Sequence, residues 1–222
     1  MKGTHGPNTA VIIPVKPIAR AKSRLRPELG DIASSLALAM ALDCATAALN
    51  CRSVDHVVVV TDDPLVTQEM VSRGAQVLPD HPAGGIDAAL AYAAERISPR
   101  GLTVALQADL PCIRGEDVER LISRSEDELT TNPSGVFVAD AAGVGTTAVV
   151  IGSHTPWRTH FGDRSRARHR GAGLIELTDS SLNRMRVDVD TVADVTHARV
   201  LGVGPATQTL LGAVAVTIRR PF

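Results

Sequence analysis

Four short apolar runs, rich in β-branched residues, recur along the first half of the chain, each followed after a brief polar turn by a helical pattern. "VIIPV" (11–15) precedes a helical stretch at Ile32–Leu49, and "HVVVVTDD" (56–63) precedes Pro64–Arg73, which Gly74 closes. "AQVLPD" (75–80) leads to Ile86–Ile97, and "LTVALQAD" (102–109) to Glu116–Ser125. Runs that are apolar at nearly every position suit strands covered on both faces, the signature of a parallel sheet. Strand and helix alternating through short loops predict an α/β, doubly wound (Rossmann-like) fold with a mostly parallel central sheet and helices on both faces. After Thr130 the rhythm changes. "GVFVAD" (135–140) and "GTTAVVIG" (145–152) read as two sequential strands, followed by an arginine-rich loop, a short helix around Ala172–Leu177, and "MRVDVDT" (185–191) as a last strand or strand end. Thr191–Leu201 reads as a helix with Thr191 as N-cap, and Gly202–Phe222 as a helix with an apolar stripe or a partner contact. No linker divides the chain, so one domain over 1–222 is expected, with 1–10 and 208–222 as candidate flexible tails.

In such a sheet, ligands lie outside the carboxyl ends of the strands. The first strand runs directly into Lys16, Arg20, Lys22, Arg24 and Arg26, with no carboxylate before Glu28. A second window, Arg158–Arg170, holds five arginines, two histidines and one acid. Together these windows take ten of the 23 Lys and Arg residues of a chain whose formal net charge is −1. Two local basic patches on an otherwise acidic body point to a focused anion site, not to a face that tracks a nucleic-acid backbone. Nucleic acid is further disfavoured because only 2% of residues are aromatic, leaving little for base stacking. Cys44, Cys51 and Cys112 lack C-x-x-C spacing and are read as free buried thiols of a reducing cytosol. The start "MKGTHGPNTA" has no secretory h-region, and the apolar stretch Ile32–Leu49 is broken by Asp43, so it reads as a core helix and not a membrane span. A cytoplasmic protein is expected.

No G-x-x-x-x-G-K-[ST] is present, and "GVGTTA" (143–148) comes too late and lies between strands, so neither a P-loop nor a dinucleotide fingerprint is read. Phosphates would instead be bound by side-chain cations, as in nucleotidyltransferases. Asp109 ends an apolar strand at the ligand edge. Asp188 and Asp190, two apart in an extended segment, face the same side. The three could supply the hard oxygen site that Mg²⁺ uses when it also holds substrate phosphates; a helix cap and a solvated strand edge are the bland alternatives. If one phosphate attacks another, like charges about 4 Å apart repel by roughly 1 kcal/mol per unit pair in water, and several-fold more in a drier site. Lysine, arginine and metal must neutralise that field. The nucleophile is already ionised, so no general base is needed, and no Ser-His-Asp or Cys-His arrangement presents itself. His169, flanked by Arg168 and Arg170, is expected to be neutral and to order its loop.

"IIPVKPIARAKSRL", "GGIDAAL", "LQADLP", "GTTAVV", "FGDRSRARH" and "VDVDT", in this order across nearly the whole chain, resemble the phosphoenolpyruvate/2-phospholactate guanylyltransferase family of coenzyme F-420 biosynthesis; "LGVGPAT" (201–207) is similar to its actinobacterial branch. The resemblance implies a single-domain, GT-A-like nucleotidyltransferase fold and release of pyrophosphate from GTP. Carried over, Thr147, Gly162 and Ser165 would hold the acceptor's phosphate and carboxylate. Lys16, Lys22, Arg24, Gly85 and Asp87 would bind the nucleotide, Asp109 and Lys22 would be catalytic, and Asp109, Asp188 and Asp190 would carry Mg²⁺. Arg164, Arg166 and Arg168 would assist. Asp87 stands where the family usually has Asn; a carboxylate there can accept from guanine N1–H and N2–H₂. Implied partners are GTP, a three-carbon phosphoester and a downstream transferase of the pathway, with a homodimer as a candidate assembly. Two rivals remain: transfer to another phosphorylated acceptor, such as 3-phosphoglycerate or a pterin phosphate, and a non-catalytic nucleotide-binding domain.

Overall fold

The structure is a computed structural model describing residues 8–81, 84–97 and 100–218; of the expected tails at 1–10 and 208–222, residues 1–7 and 219–222 lie outside the described residues, whereas Ala10 opens a strand and 208–218 belong to a helix. In chain order the elements are β1 (Ala10–Pro14), a 3₁₀ turn (Ile18–Arg20), α1 (Arg26–Leu29), α2 (Ile32–Leu49), β2 (His56–Val60), α3 (Pro64–Ser72), β3 (Gln76–Leu78), α4 (Ile86–Ile97) and β4 (Thr103–Leu106). There follow α5 (Gly115–Leu129), β5 (Val136–Ala139), β6 (Thr146–Ile151), α6 (Ser165–Gly171), β7 (Ile175–Glu176), a second 3₁₀ segment (Ser180–Arg186), α7 (Val192–Leu201) and α8 (Pro205–Ile218). The strands form one sheet of order β3-β2-β1-β4-β6-β5-β7. β1 to β4 pair in parallel, β6 runs antiparallel to both β4 and β5, and β7 is parallel to β5. The sheet is therefore mostly parallel, as expected, with β6 inserted against the common direction.

Side chains alternate across the sheet. Val11, Ile13, Val104 and Val150 enter a core shared with α2, α3 and α5, whereas Ile12, Ala105 and Val149 face α4, Phe161 and Leu174. Helix starts carry legible chemistry. Asp63 caps α3, accepting from the amides of Leu65 (2.9 Å) and Val66 (3.3 Å), and Pro64 occupies the first turn, where its missing N–H costs nothing. Thr191 and Asp194 form a reciprocal capping box on α7. α2 is apolar enough by length and composition to cross a bilayer, but most of it is buried inside the fold, against β1, β2, α5 and α8.

Two expectations are corrected. The helix after "GTTAVV" spans Ser165–Gly171, not 172–177; Gly173 turns left-handed at φ 88°, and Ile175–Glu176 then adds a short edge strand to β5. Sequence reading placed the arginines in a loop, although Ser165 and His169, four apart, form a buried helical face. "VDVDT" is extended but not a strand: the amide of Val189 donates to the Asp109 carbonyl at 3.1 Å, which ties it to the end of β4.

Asp43, which interrupts the apolar run of α2, accepts from the amides of Ala206 (2.9 Å) and Thr207 (3.0 Å) and so caps α8 from another helix. Burial pushes its carboxyl pKa up, and the Thr207 and Ala206 hydrogen bonds work against that rise. α8 in turn joins a third cluster, in which Leu210 and Leu211 pack beside Leu25, Met40, Val187 and Val189. Asp43→Ala should lower stability by roughly 1–3 kcal/mol, from the lost cap and the two amides left unsatisfied. Denaturant unfolding checks this, and a midpoint equal to that of the unmutated chain would refute the capping role.

Candidate active site

The carboxyl ends of β1, β3 and β4, together with the turn before β6, open onto a cleft of about 690 Å³, of a size suited to a small-molecule ligand. Its lining includes Lys16, Lys22, Arg24, Gly85, Asp109, Thr147, Gly162, Ser165, Asp188 and Asp190. Of the residues expected to bind nucleotide, acceptor or metal, all but Asp87 therefore share a single space. Asp87 is not among the lining residues. Its Oδ1 accepts from Thr159 Oγ1 (2.7 Å) and from the amide of Phe161 (3.0 Å).

The basic loop is organised from β2. Asp63 Oδ2 accepts from the amide of Ile18 at 2.9 Å while its Oδ1 caps α3, so one carboxylate fixes both elements. Lys22 then adopts a left-handed backbone with φ 49°, unusual for a residue with a side chain and typical of sites where surrounding structure over-determines the conformation. Its Nζ reaches Asp109 Oδ2 at 2.6 Å and Asp190 Oδ1 at 2.8 Å, with the side chain only 9% exposed. Burial alone would discharge this lysine, but Asp109 and Asp190 prevail and raise its pKa above the ordinary value. Arg24, largely exposed, adds a 3.4 Å contact to Asp190 Oδ2.

Val187 and Val189 point into the third cluster, which turns Asp188 and Asp190 to the cleft. Burying two valines contributes roughly 1.5–3 kcal/mol each, enough to hold carboxylates where they repel one another. Asp188 is pushed up to about 7, by burial first and then by Asp109 and Asp140. Asp109 Oδ1 is buried without a hydrogen-bond partner. A crowded pair of carboxylates, one with an orphan oxygen, is a donor set that fits a hard divalent cation. Among the described residues no three His, Cys, Asp or Glu side chains gather closely enough to hold a metal alone. Lys22 holds one oxygen of Asp109 and one of Asp190, and Arg24 contacts the other oxygen of Asp190, so the orphan Oδ1 of Asp109 and the carboxylate of Asp188 would be the oxygens offered to a metal, with the remaining coordination falling to nucleotide phosphates and water.

The opposite wall comes from β6 and the segment before α6. Thr147 and Ser165 are nearly fully buried, Gly162 has φ 103°, and Arg164 is left-handed at φ 48°. His169, wholly buried, accepts from the amide of His160 through Nε2 (2.9 Å), which leaves Nδ1–H to donate to Thr146 Oγ1 (3.0 Å). Burial, then His160, lowers its pKa to about 4, so it is neutral and loop-ordering, as expected. Of the arginines expected to help, only Arg164 lines the cleft. Arg166 binds Glu176 (2.9 Å) and the Gly143 carbonyl (2.9 Å), Arg170 binds Glu176 (2.7 Å), and Arg168 lies 3.9 Å from Asp87.

Sequence reasoning missed Asp80, Gln107 and Asp140, which also line the cleft. Asp80 and Gln107 follow strands at the ligand edge, and that position was the available signal. Asp140 accepts from the amides of Val144 (2.8 Å) and Gly145 (2.7 Å), holding the turn before β6. The three cysteines are free and buried, as read.

A parallel-sheet edge that sets Lys22 against Asp109 and Asp190, opposite a wall carrying Thr147, Gly162 and Ser165, suits a nucleotidyltransferase. The family profile "Guanylyl transferase CofC like" matches residues 9–220, and the chain belongs to that family. A phosphoenolpyruvate guanylyltransferase of Thermomonospora curvata is 42% identical over 204 residues, 90% of this chain and 87% of that one. One of Streptomyces coelicolor is 41% identical over 201 residues, 89% of this chain and 92% of its own. Among solved structures, a nucleotidyl transferase from Methanothermobacter has a TM-score of 0.61 at 14% identity, covering 87% of this chain and 97% of that one. A chain from Desulfovibrio desulfuricans G20, assigned as a nucleotide-diphospho-sugar transferase, reaches 0.72 at 16% identity over 96% and 98%. These two likenesses establish the fold; the family establishes an enzyme of guanylyl transfer.

A buried neutral histidine makes stability depend on pH. Unfolded, His169 takes up a proton near pH 6.5; folded, only near 4. Between those values the unfolded chain binds more protons, so this contribution is fully present above 6.5 and lost as pH falls towards 4, by up to about 3 kcal/mol. Stability of His169→Asn, measured by urea titration across that window, should fall less steeply with acidification than that of the unmutated chain. Equal slopes would refute a buried neutral imidazole.

Proposed function

We propose that the chain joins GTP to phosphoenolpyruvate with release of pyrophosphate, making the activated three-carbon donor used in coenzyme F-420 biosynthesis. The observation that carries this reading is the pairing of Lys22 with Asp109 and Asp190 across one cleft from Thr147 and Ser165. Both full-length relatives bear the name phosphoenolpyruvate guanylyltransferase, which favours that acceptor over 2-phospholactate, 3-phosphoglycerate or a pterin phosphate.

In the reaction an acceptor phosphate oxygen bonds to the α-phosphorus of GTP, and the bond to the α,β-bridging oxygen breaks as pyrophosphate leaves. Both reactants are anions, and the barrier is largely the work of bringing them together. Lys16, Lys22 and Arg24, all in the loop after β1, bind the triphosphate, with Lys22 aimed where charge grows on the transferring phosphate. Gly85 brings the start of α4 close to the nucleoside. Thr147, Gly162 and Ser165 fix the acceptor's phosphate and carboxylate for in-line approach, which lowers the barrier through orientation. Asp109 and Asp188 would hold Mg²⁺, which when bound supplies charge neutralisation and polarises phosphate oxygens. No side chain needs to remove a proton, consistent with His169 being neutral and internally bonded. We place the activity in the cytoplasm, in keeping with three free thiols. The product is a reactive phosphoanhydride suited to prompt use by a downstream transferase.

Purified protein with GTP, Mg²⁺ and phosphoenolpyruvate should release stoichiometric pyrophosphate, and less with 2-phospholactate or 3-phosphoglycerate. Silence with all three acceptors alongside tight GTP binding would sink the reading in favour of a nucleotide-binding domain. Asp109→Asn should lower turnover by about 10²–10³-fold, the scale of losing one preorganised electrostatic group, with the circular dichroism spectrum unchanged. Normal turnover in that variant would remove Asp109 from the mechanism.

A further inference from the structure

Three consecutive residues, Thr159, His160 and Phe161, are gripped from two separate elements. Asp87, in the first turn of α4, takes the Thr159 hydroxyl (2.7 Å) and the Phe161 amide (3.0 Å) on a single oxygen, Oδ1. His169, in α6, takes the His160 amide between them through Nε2 at 2.9 Å. Asp87 Oδ2 faces Arg168, which lies 3.9 Å away and also donates to the Asp163 carbonyl at 3.4 Å. Immediately beyond the gripped residues come Gly162, left-handed at φ 103°, and Ser165, 2% exposed, both lining the cleft. A backbone held in that geometry needs an anchor just before it. Hydrogen bonds to a charged acceptor are about twice as strong as neutral ones, and that suits a carboxylate to the task.

We propose that Asp87 is a positioning residue for the acceptor: its carboxylate clamps the 159–161 segment so that Gly162 and Ser165 stand ready in the cleft, and it does not read the nucleotide base. This deepens the reading of Thr147, Gly162 and Ser165 as the acceptor subsite and rests on it. The same helix turn contributes Gly85 and Ile86 to the cleft lining, so the clamp ties the acceptor loop to the nucleoside end of the site. Both contacts use Oδ1 as acceptor, so an amide side chain could keep both bonds, though in weaker form. Asp87→Asn is therefore a conservative rescue, whereas Asp87→Ala removes both bonds.

Steady-state kinetics with GTP and phosphoenolpyruvate distinguish the roles. Asp87→Ala should raise the KM for phosphoenolpyruvate about tenfold or more, the scale of losing hydrogen bonds to a charged group. The KM for GTP and the preference for GTP over ATP should stay within about twofold. Asp87→Asn should restore the acceptor KM, and Thr159→Val should reproduce part of the defect. A raised GTP KM or relaxed base preference with an unchanged acceptor KM would overturn the proposal in favour of base contact, and unchanged kinetics in Asp87→Ala would leave the residue no role in either subsite. Amide hydrogen exchange on the ligand-free protein tests the clamp without any turnover. The Phe161 amide should be protected in the unmutated chain and in Asp87→Asn but should exchange faster in Asp87→Ala. Equal protection in all three would refute the clamp even if the enzyme is active. Faster exchange without phosphoenolpyruvate turnover in the unmutated chain would count against the acceptor assignment and leave the clamp standing.

Discussion

The ammonium of Lys22, shared between Asp109 and Asp190, is the interaction on which the site depends. It joins three stretches far apart in sequence: the loop after β1, the residue beyond β4 and the extended segment before α7. None would hold its position alone. Lys22 sits in a backbone conformation that most residues avoid, and burial, then the charges of Asp109 and Asp140, push the Asp188 carboxyl up to about 7. A buried lysine without such partners would be pushed towards losing its proton. Each charge is stabilised by the others, so the cleft is preorganised before any ligand arrives.

Apolar packing supplies the force that holds these charges together. Leu25, three residues beyond Lys22, and Val187 and Val189, which bracket Asp188, enter the same small cluster with Met40 and Cys112. That cluster is closed by α8, which Asp43 caps from within α2. The carboxyl-terminal helix is thus linked to the active-site aspartates through a short run of packed side chains. The polar residue that marked α2 as something other than a membrane span has a structural purpose of its own.

Much of this was legible in the sequence because a parallel sheet imposes its pattern directly. Strands buried on both faces read as apolar runs, and the ligand edge follows from their carboxyl ends; hence Lys22, Asp109 and Asp188 could be placed in one cleft from their positions alone. What escaped was set by partners remote in sequence. The arginines of α6 look like a ligand-binding cluster until Glu176 and Gly143 are seen to occupy two of them. Nor does the sequence show that Thr159 and Phe161, more than 70 residues away, donate to an oxygen of Asp87. Charge counts record how many cations a window holds, not which of them tertiary contacts have already neutralised.

The two basic windows consequently differ in kind. In the first, Lys16, Arg20, Lys22 and Arg24 all line the cleft, with Lys22 set between Asp109 and Asp190 and Arg24 beside Asp190. In the second, Arg164 alone of the α6 arginines lines it, and the others stiffen the wall that carries Gly162 and Ser165. This division suits a reaction between two anions. A triphosphate carries the larger charge and needs several cations along its length, and the loop after β1 sets four of them against the cleft. A small phosphorylated acid needs a rigid, narrowly shaped seat, since its contribution to the rate lies in approaching the α-phosphorus from one direction. Flooding both walls with free arginine would bind either anion in either place and sacrifice that order. Under the proposed reading, engaging Arg166, Arg168 and Arg170 with internal carboxylates would keep the stronger field on the nucleotide side and leave the acceptor to be selected by shape.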